Sequence, residues 1–234
     1  MTAEAIPPWD SHVAVVIPAY QAEKSLGEVL DHVLHLAPRD NVWVIDDGST
    51  DGTASIARAR GVGLVSLETN QGKGTALAKG LLAAAQRGFA WAITMDADGQ
   101  HRAGELSSFL ASRPEARVGI VVGQRPVRGT RMPWHRRFSN ILTTGLVSLV
   151  AGQRVYDAQS GFRMYRTELM AKGIWPAHGR FEWEAQALVL CRRAGWRIMA
   201  VPITTVYGNH GSHMRLWVDS WRFVGMMGKL LWMR

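Results

Sequence analysis

The stretch Phe89-Ala-Trp-Ala-Ile-Thr-Met-Asp-Ala-Asp-Gly-Gln-His101 decides how the chain is read. Residues 90–95 are a short apolar run, the pattern of a strand buried on both faces of a sheet. The run stops at two carboxylates one residue apart, then a glycine, an amide and an imidazole. If the backbone stays extended, Asp96 and Asp98 point to one side, because strand side chains repeat every second residue. Two carboxylates on one side repel unless a cation lies between them. A hard divalent ion, Mg2+ or Mn2+, suits such a pair, leaving other positions to water or substrate phosphates. On this reading, Asp→Asn substitution relieves repulsion and leaves the melting temperature unchanged or raised. A solvated turn is the plainer alternative for Asp96-x-Asp98 taken alone. An EF-hand loop fails, because its required glycine and glutamate fall at His101 and Ser107.

Upstream of this stretch the chain alternates strand and helix signals. Residues 13–17 are a β-branched run closed by Pro18, and residues 42–45 a second strand ending at Asp46 and Asp47. Residues 64–67 predict a third. Between them, residues 23–36 carry a helical apolar stripe, residues 54–60 read as a helix stopped by Gly61, and residues 74–87 form an alanine-rich helix ended by Gly88. Such alternation argues for an α/β fold with a doubly wound, mostly parallel sheet. Ligands bind beyond the carboxyl ends of strands in such sheets. Pro18-Ala-Tyr20, Asp46-Asp47 and Asp96-x-Asp98 all reach that edge.

Two nucleotide motifs are absent. Gly72-Lys-Gly-Thr75 lacks the earlier glycine of a phosphate-binding loop, since position 67 is Leu67, and Leu77 breaks a dinucleotide fingerprint. The glycines around Lys73 then read as a flexible entry to the next helix, from which Lys73 can reach an anion.

Downstream, residues 118–122 predict another strand, followed by Gly123-Gln-Arg125. Arg128, Arg131, His135, Arg136 and Arg137 crowd the segment before an uncharged stretch, residues 138–150. A basic segment joined to an uncharged helix suits a membrane interface, although a basic run is usually a solvated surface. Residues 156–163 read as a polar connection. Glu182 and Glu184 open a helix with acids in its first turn, as the dipole favours, and residues 197–205 read as a last strand.

Composition bounds the rest. The 234 residues suffice for one large α/β domain, and 47% hydrophobic with 20% charged residues is ordinary for a globular protein. A net charge of +8 calls for an anionic partner: nucleic acid, phosphorylated metabolite or anionic lipid. Ten tryptophans, many near the C-terminus, suit either a membrane surface or packing. The one cysteine, Cys191, excludes an internal disulfide, fits a reducing compartment and reads as core. No secretory signal and no membrane-spanning segment is visible.

The ordered set of motifs resembles the inverting family 2 glycosyltransferases of the GT-A fold, and among them the dolichyl- and polyprenyl-phosphate mannose or glucose synthases and their bacterial relatives. It is carried by Val16-Ile-Pro-Ala-Tyr20, Ile45-Asp-Asp-Gly-Ser-Thr-Asp-Gly-Thr53, Asn70-Gln-Gly-Lys-Gly74 and Met95-Asp-Ala-Asp-Gly-Gln-His101. Gly123-Gln-Arg125, Asp157-Ala-Gln-Ser-Gly-Phe-Arg163, Phe181-Glu-Trp-Glu184, Val201-Pro-Ile203 and Ser212-His-Met-Arg215 extend it. The resemblance implies one GT-A domain over residues 1–234. Residues 13–122 would be its nucleotide-sugar half, 123–215 its acceptor side, and 216–234 an amphipathic C-terminal segment. It implies that Pro18, Tyr20, Ile45 and Asp47 line the base pocket. It further implies that Asp96, Asp98 and Gln100 hold Mg2+ or Mn2+ against the donor diphosphate, with Ala97 between them. Arg125 and Arg136 would present cations to phosphate, and Arg215 would close over the diphosphate. Ala22 departs from the family's glutamate, so a nucleotide contact is either lost or supplied by Glu23. Asn209 and His210 stand where some members place arginine.

Three readings follow. The first is metal-dependent transfer of a hexose from a nucleotide sugar, of GDP-mannose or UDP-glucose type, to a polyprenyl or dolichyl phosphate. A phosphate acceptor, with a second pKa of about 6, needs no general base. This enzyme would be cytoplasmic, peripheral at the inner face of the membrane, with no nucleic-acid partner. The second keeps the fold but uses a hydroxyl acceptor, with Asp157 as base. The third is a basic nucleic-acid-binding protein, suggested by charge alone and lacking any recognised motif.

Overall fold

The computed structural model describes residues 9–112, 114–126, 134–176, 178–180 and 182–204, with Gly225 and Gly228; for residues 134–138 only the backbone is described. Seven strands form one sheet: β1 (Val13–Ala19), β2 (Val42–Asp46), β3 (Gly63–Ser66), β4 (Trp91–Thr94), β5 (Val118–Gln124), β6 (Arg163–Arg166) and β7 (Arg197–Pro202). Their order across the sheet is β3-β2-β1-β4-β6-β5-β7. Pairing is parallel except around β6, which runs antiparallel to both β4 and β5.

Period-two alternation sorts each strand between two cores. In β1, Ala14 and Val16 face one core, while Val13, Val15, Ile17 and Ala19 face the other. The first face is covered by α3 (Lys73–Gln86), α5 (Trp134–Ala151), α6 (Glu168–Ala171) and α7 (Trp183–Arg193). The second is covered by α1 (Leu26–Leu34), α2 (Thr53–Ala59) and α4 (Leu106–Ala111). Leu26, Val29, Leu30 and Val33 recur at helical spacing and are all buried, which makes the stripe of α1 a docking face. The result is a three-layer α/β sandwich of the GT-A type.

Two expectations change here. Residues 156–163 lead into a strand, β6, that the sequence does not announce. Its four residues include Arg163 and Arg166, yet Arg163 is fully buried. Three backbone carbonyls, of Ala158, Ser160 and Glu184, accept from its guanidinium, and these satisfy the donors that make a buried arginine costly. The glycines around Lys73 are also no flexible entry. Gly72 has φ +97, a left-handed conformation, and a Cβ on Gly74 would lie 2.4 Å from Trp183 Cβ. They set one fixed approach of α3 to α7.

Cys191 is fully buried on α7, and burial pushes its thiol pKa up to about 12. In the native protein it is expected to resist a disulfide-exchange reagent at pH 8 and to react fully in denaturant. Reaction of the folded protein within minutes would contradict this packing.

Candidate active site

The strand carrying the key stretch ends earlier than the sequence suggests. β4 closes at Thr94, and Ala97 and Asp98 lie in a turn. Asp96 and Asp98 are therefore not aligned by the pleat of a strand, and that premise fails. Asp98 closes the turn, its Oδ1 accepting from Gln100 N at 3.0 Å. Asp96 does not stand unpaired: its Oδ1 lies 2.7 Å from Lys73 Nζ, and its Oδ2 3.7 Å from His101 Nε2. Lys73 thus does reach an anion, and the anion belongs to the protein. Lys73 opens α3, where the helix dipole disfavours a cation, so the pair with Asp96 offsets an unfavourable position.

A second carboxylate completes the cluster. Glu184, in the first turn of α7, places Oε1 3.4 Å from Lys73 Nζ. Burial penalises the Lys73 ammonium, but Asp96 and then Glu184 outweigh it and hold the amine above the usual lysine range. Burial likewise works against the Asp96 carboxylate, and Lys73 and His101 outweigh it, holding the carboxyl well below its usual range. Sequence reasoning missed Glu184, which reads as an ordinary first-turn acid.

Gly161 is the wall of this cluster. A Cβ there would sit 2.8 Å from Asp96 Oδ2 and 2.9 Å from Lys73 Nζ. Both crowded atoms are ends of side chains, so the fold can absorb a methyl group while the cluster cannot. Gly161→Ala is expected to change stability by less than about 1 kcal/mol. It should lower turnover about a hundredfold, the cost of misplacing site groups by an ångström. Calorimetry and initial rates check both; unchanged turnover would mean that this close approach is incidental.

At the β1–β2 edge, Pro18 and Ile45 are register partners. Ile45 is fully buried and belongs to the core beneath α3, whereas Tyr20 is 46% exposed at the sheet edge. Asp47 is buried, and its two oxygens accept from Gln71 N at 2.7 Å and Gly72 N at 2.8 Å. It locks the loop before Lys73. Glu23 accepts from Gly52 N at 2.7 Å and so braces the start of α2.

Just past β5, Arg125 grips Asp157 with two bonds, 2.7 and 2.9 Å, and Asp157 Oδ1 also accepts from Gln159 N at 3.1 Å. Asp157 is buried, at 1% exposure. A carboxylate so held is a brace for Arg125, not a base facing solvent. Beside it opens a cavity of 340 Å³, lined by Arg125, Arg154 and Tyr156 and by Asn140, Ile141 and Thr144 of α5. Helix α5 begins at Trp134, earlier than the uncharged run, and exposes Ile141, Leu142 and Leu149. Arg128, Arg131 and Arg215, Asn209 and His210, and the side chains of Arg136 and Arg137 lie outside the described residues, as does the amphipathic segment 216–234 apart from Gly225 and Gly228.

The residues fit a divalent ion in one specific way. Among the described residues no group of three His, Cys, Asp or Glu side chains could form a closed metal cage. Asp96 just after β4 and Asp98 in the turn that follows, with Gln100 two residues on, are hard oxygen donors by type, although Asp96 already faces Lys73 and His101. Such donors are the usual protein share of a Mg2+ or Mn2+ site completed by phosphate oxygens.

The glycosyl transferase family 2 model matches residues 14–173, and the chain belongs to that family. It is 29% identical over 219 residues to a UDP-N-acetylglucosamine–dolichyl-phosphate N-acetylglucosaminyltransferase of Methanococcus voltae, covering 85% of this chain and 87% of that one. It is 31% identical over 192 residues to a dolichyl-phosphate hexose transferase of Haloferax volcanii, covering 82% and 81%. The fold matches glucosyl-3-phosphoglycerate synthase from Mycobacterium tuberculosis, crystallised with Mn2+, UDP-glucose and phosphoglyceric acid. That match has a TM-score of 0.72 at 20% identity, over 93% of this chain and 79% of that one.

Proposed function

We propose that this glycosyltransferase moves a hexose from a nucleotide sugar to a polyprenyl or dolichyl phosphate, with inversion at the anomeric carbon. The observation that carries the reading is the state of Asp157. The carboxylate nominated as a base is buried and doubly bound by Arg125, so the cleft suits an acceptor that arrives already ionised. Arg125 and Arg154 at the cavity would supply the cationic surroundings for that phosphate. The named relatives act on dolichyl phosphate, which agrees.

On this reading Tyr20 covers the base, while Asp47 holds the loop that backs it. Asp96, Asp98 and Gln100 would hold Mg2+ or Mn2+, which when bound neutralises charge on the departing diphosphate. Arg125 and Arg136 orient the acceptor phosphate for in-line attack, and Arg215 closes over the donor. No helix among the described residues is long and apolar enough to cross a membrane. The exposed Ile141, Leu142 and Leu149 of α5 would meet a lipid surface from the side.

The test is a donor screen against undecaprenyl and dolichyl phosphates, with Mn2+, Mg2+ or chelator. Product with a lipid phosphate and none with chelator supports the reading. Transfer only to hydroxyl acceptors, or transfer indifferent to chelator, overturns it.

A further inference from the structure

Glu184 takes no part in the transfer outlined above, yet its position is unusual. It is 6% exposed, and its Oε1 has no hydrogen-bond partner among the described residues. That oxygen faces Lys73 Nζ at 3.4 Å, while the same ammonium sits 2.7 Å from Asp96 Oδ1. One cation is thus shared unequally by two carboxylates from separate elements, the β4 edge and α7. An ammonium has three donors on a flexible four-carbon stem, so it can change partners without backbone motion. Gly161 walls the cluster on another side, where a methyl group would already touch both Lys73 and Asp96.

We propose that Lys73 is a movable internal counter-ion, held on Asp96 while no divalent ion is bound and transferred to Glu184 when one is. The inference rests on reading Asp96 as a metal ligand. Before loading, the ammonium keeps Asp96 charged and oriented. A divalent ion on the same carboxylate repels it, because like charges a few ångströms apart in a partly buried site interact strongly. Glu184 then receives it and fills its open acceptor site. Glu184 is a positioning residue: it sets how strongly Lys73 competes with the metal, without touching either substrate.

The test measures Mn2+ binding to the full chain by electron paramagnetic resonance of free Mn2+, with no nucleotide present. The proteins compared are the wild type, Glu184→Gln, Lys73→Met, the Lys73→Met/Glu184→Gln double variant and Asp96→Asn. Glu184→Gln removes the second anchor and is expected to weaken Mn2+ binding about tenfold, within the usual range for coupled sites. The double variant removes the competitor as well and should regain wild-type affinity or better. A merely structural Glu184 predicts no rescue, and that result overturns the proposal, as does unchanged affinity in Glu184→Gln. Should Glu184→Gln fail to fold, a crystal structure of the wild type with Mn2+ decides. Lys73 Nζ on Glu184 and off Asp96 supports the proposal, and Nζ still on Asp96 overturns it. Asp96→Asn separates the two readings. If it binds Mn2+ as the wild type does, the metal site is elsewhere and the inference falls with it. If it loses Mn2+ while Glu184→Gln does not, only the inference fails.

Discussion

Asp96→Asn is expected to lower sugar transfer by about a hundredfold to a thousandfold, the scale on which losing one preorganised charge-stabilising group acts. It should also destabilise the protein by about 1–2 kcal/mol. That is less than the roughly 3–5 kcal/mol for breaking a fully buried ion pair, because Lys73 keeps Glu184 and the Asp96 side chain is 28% exposed. The sign reverses the expectation from sequence, where relief of carboxylate repulsion would hold or raise the melting temperature. Asp98→Asn separates the two effects. Its amide oxygen can still accept from Gln100 N, so turnover should fall while stability holds. Denaturant melts beside initial rates measure both quantities, and an Asp96→Asn protein as stable as the wild type would mean that the Lys73 pair contributes nothing.

Asp157→Asn carries the second large effect. Asparagine keeps the shape but loses the charge that holds the Arg125 guanidinium at 2.7 and 2.9 Å. Turnover is expected to fall about a hundredfold through a misplaced Arg125, with the acceptor KM raised and the pH–rate profile unchanged in shape. A base would behave differently: its removal abolishes the acidic limb of the profile and leaves acceptor binding alone. The shape of that profile therefore chooses between phosphate and hydroxyl acceptors without knowledge of the donor.

The fold was legible wherever a segment answered to one periodicity. β1, α1, β2 and α3 lie within a few residues of their predicted limits, because each has an apolar pattern closed by glycine, by proline or, in β2, by a pair of aspartates. β6 was not legible, since two of its four residues are arginines. What buries Arg163 is a set of three carbonyls, two from the loop just before it (Ala158 and Ser160) and one from Glu184 on α7, which no apolar periodicity encodes. The site was legible in part for the same reason. Asp96 and Asp98 announce themselves by spacing at the end of an apolar run. Lys73 and Glu184 stand 23 and 88 residues from Asp96; Lys73 meets Asp96, and Glu184 meets Lys73, only through the packing of α3 and α7. The one available signal was glycine: Gly72, Gly74 and Gly161 mark close approaches around this cluster.

The reversed strand β6 has a consequence for how the chain is made. It is hydrogen-bonded on both sides, to β4 and to β5, although about seventy residues separate it from β4 in the chain. A ribosome that has delivered β1 through β4 has released a sheet whose newest strand lacks its second neighbour. At synthesis rates of about 5–20 residues per second, that edge stays open for several seconds before Arg163–Arg166 emerges. An unpaired edge strand is a template for association with other chains. A nascent chain with β4 outside the ribosome and β6 still inside it should therefore be the species that aggregates or recruits a chaperone, and one with β5 and β6 both released should not.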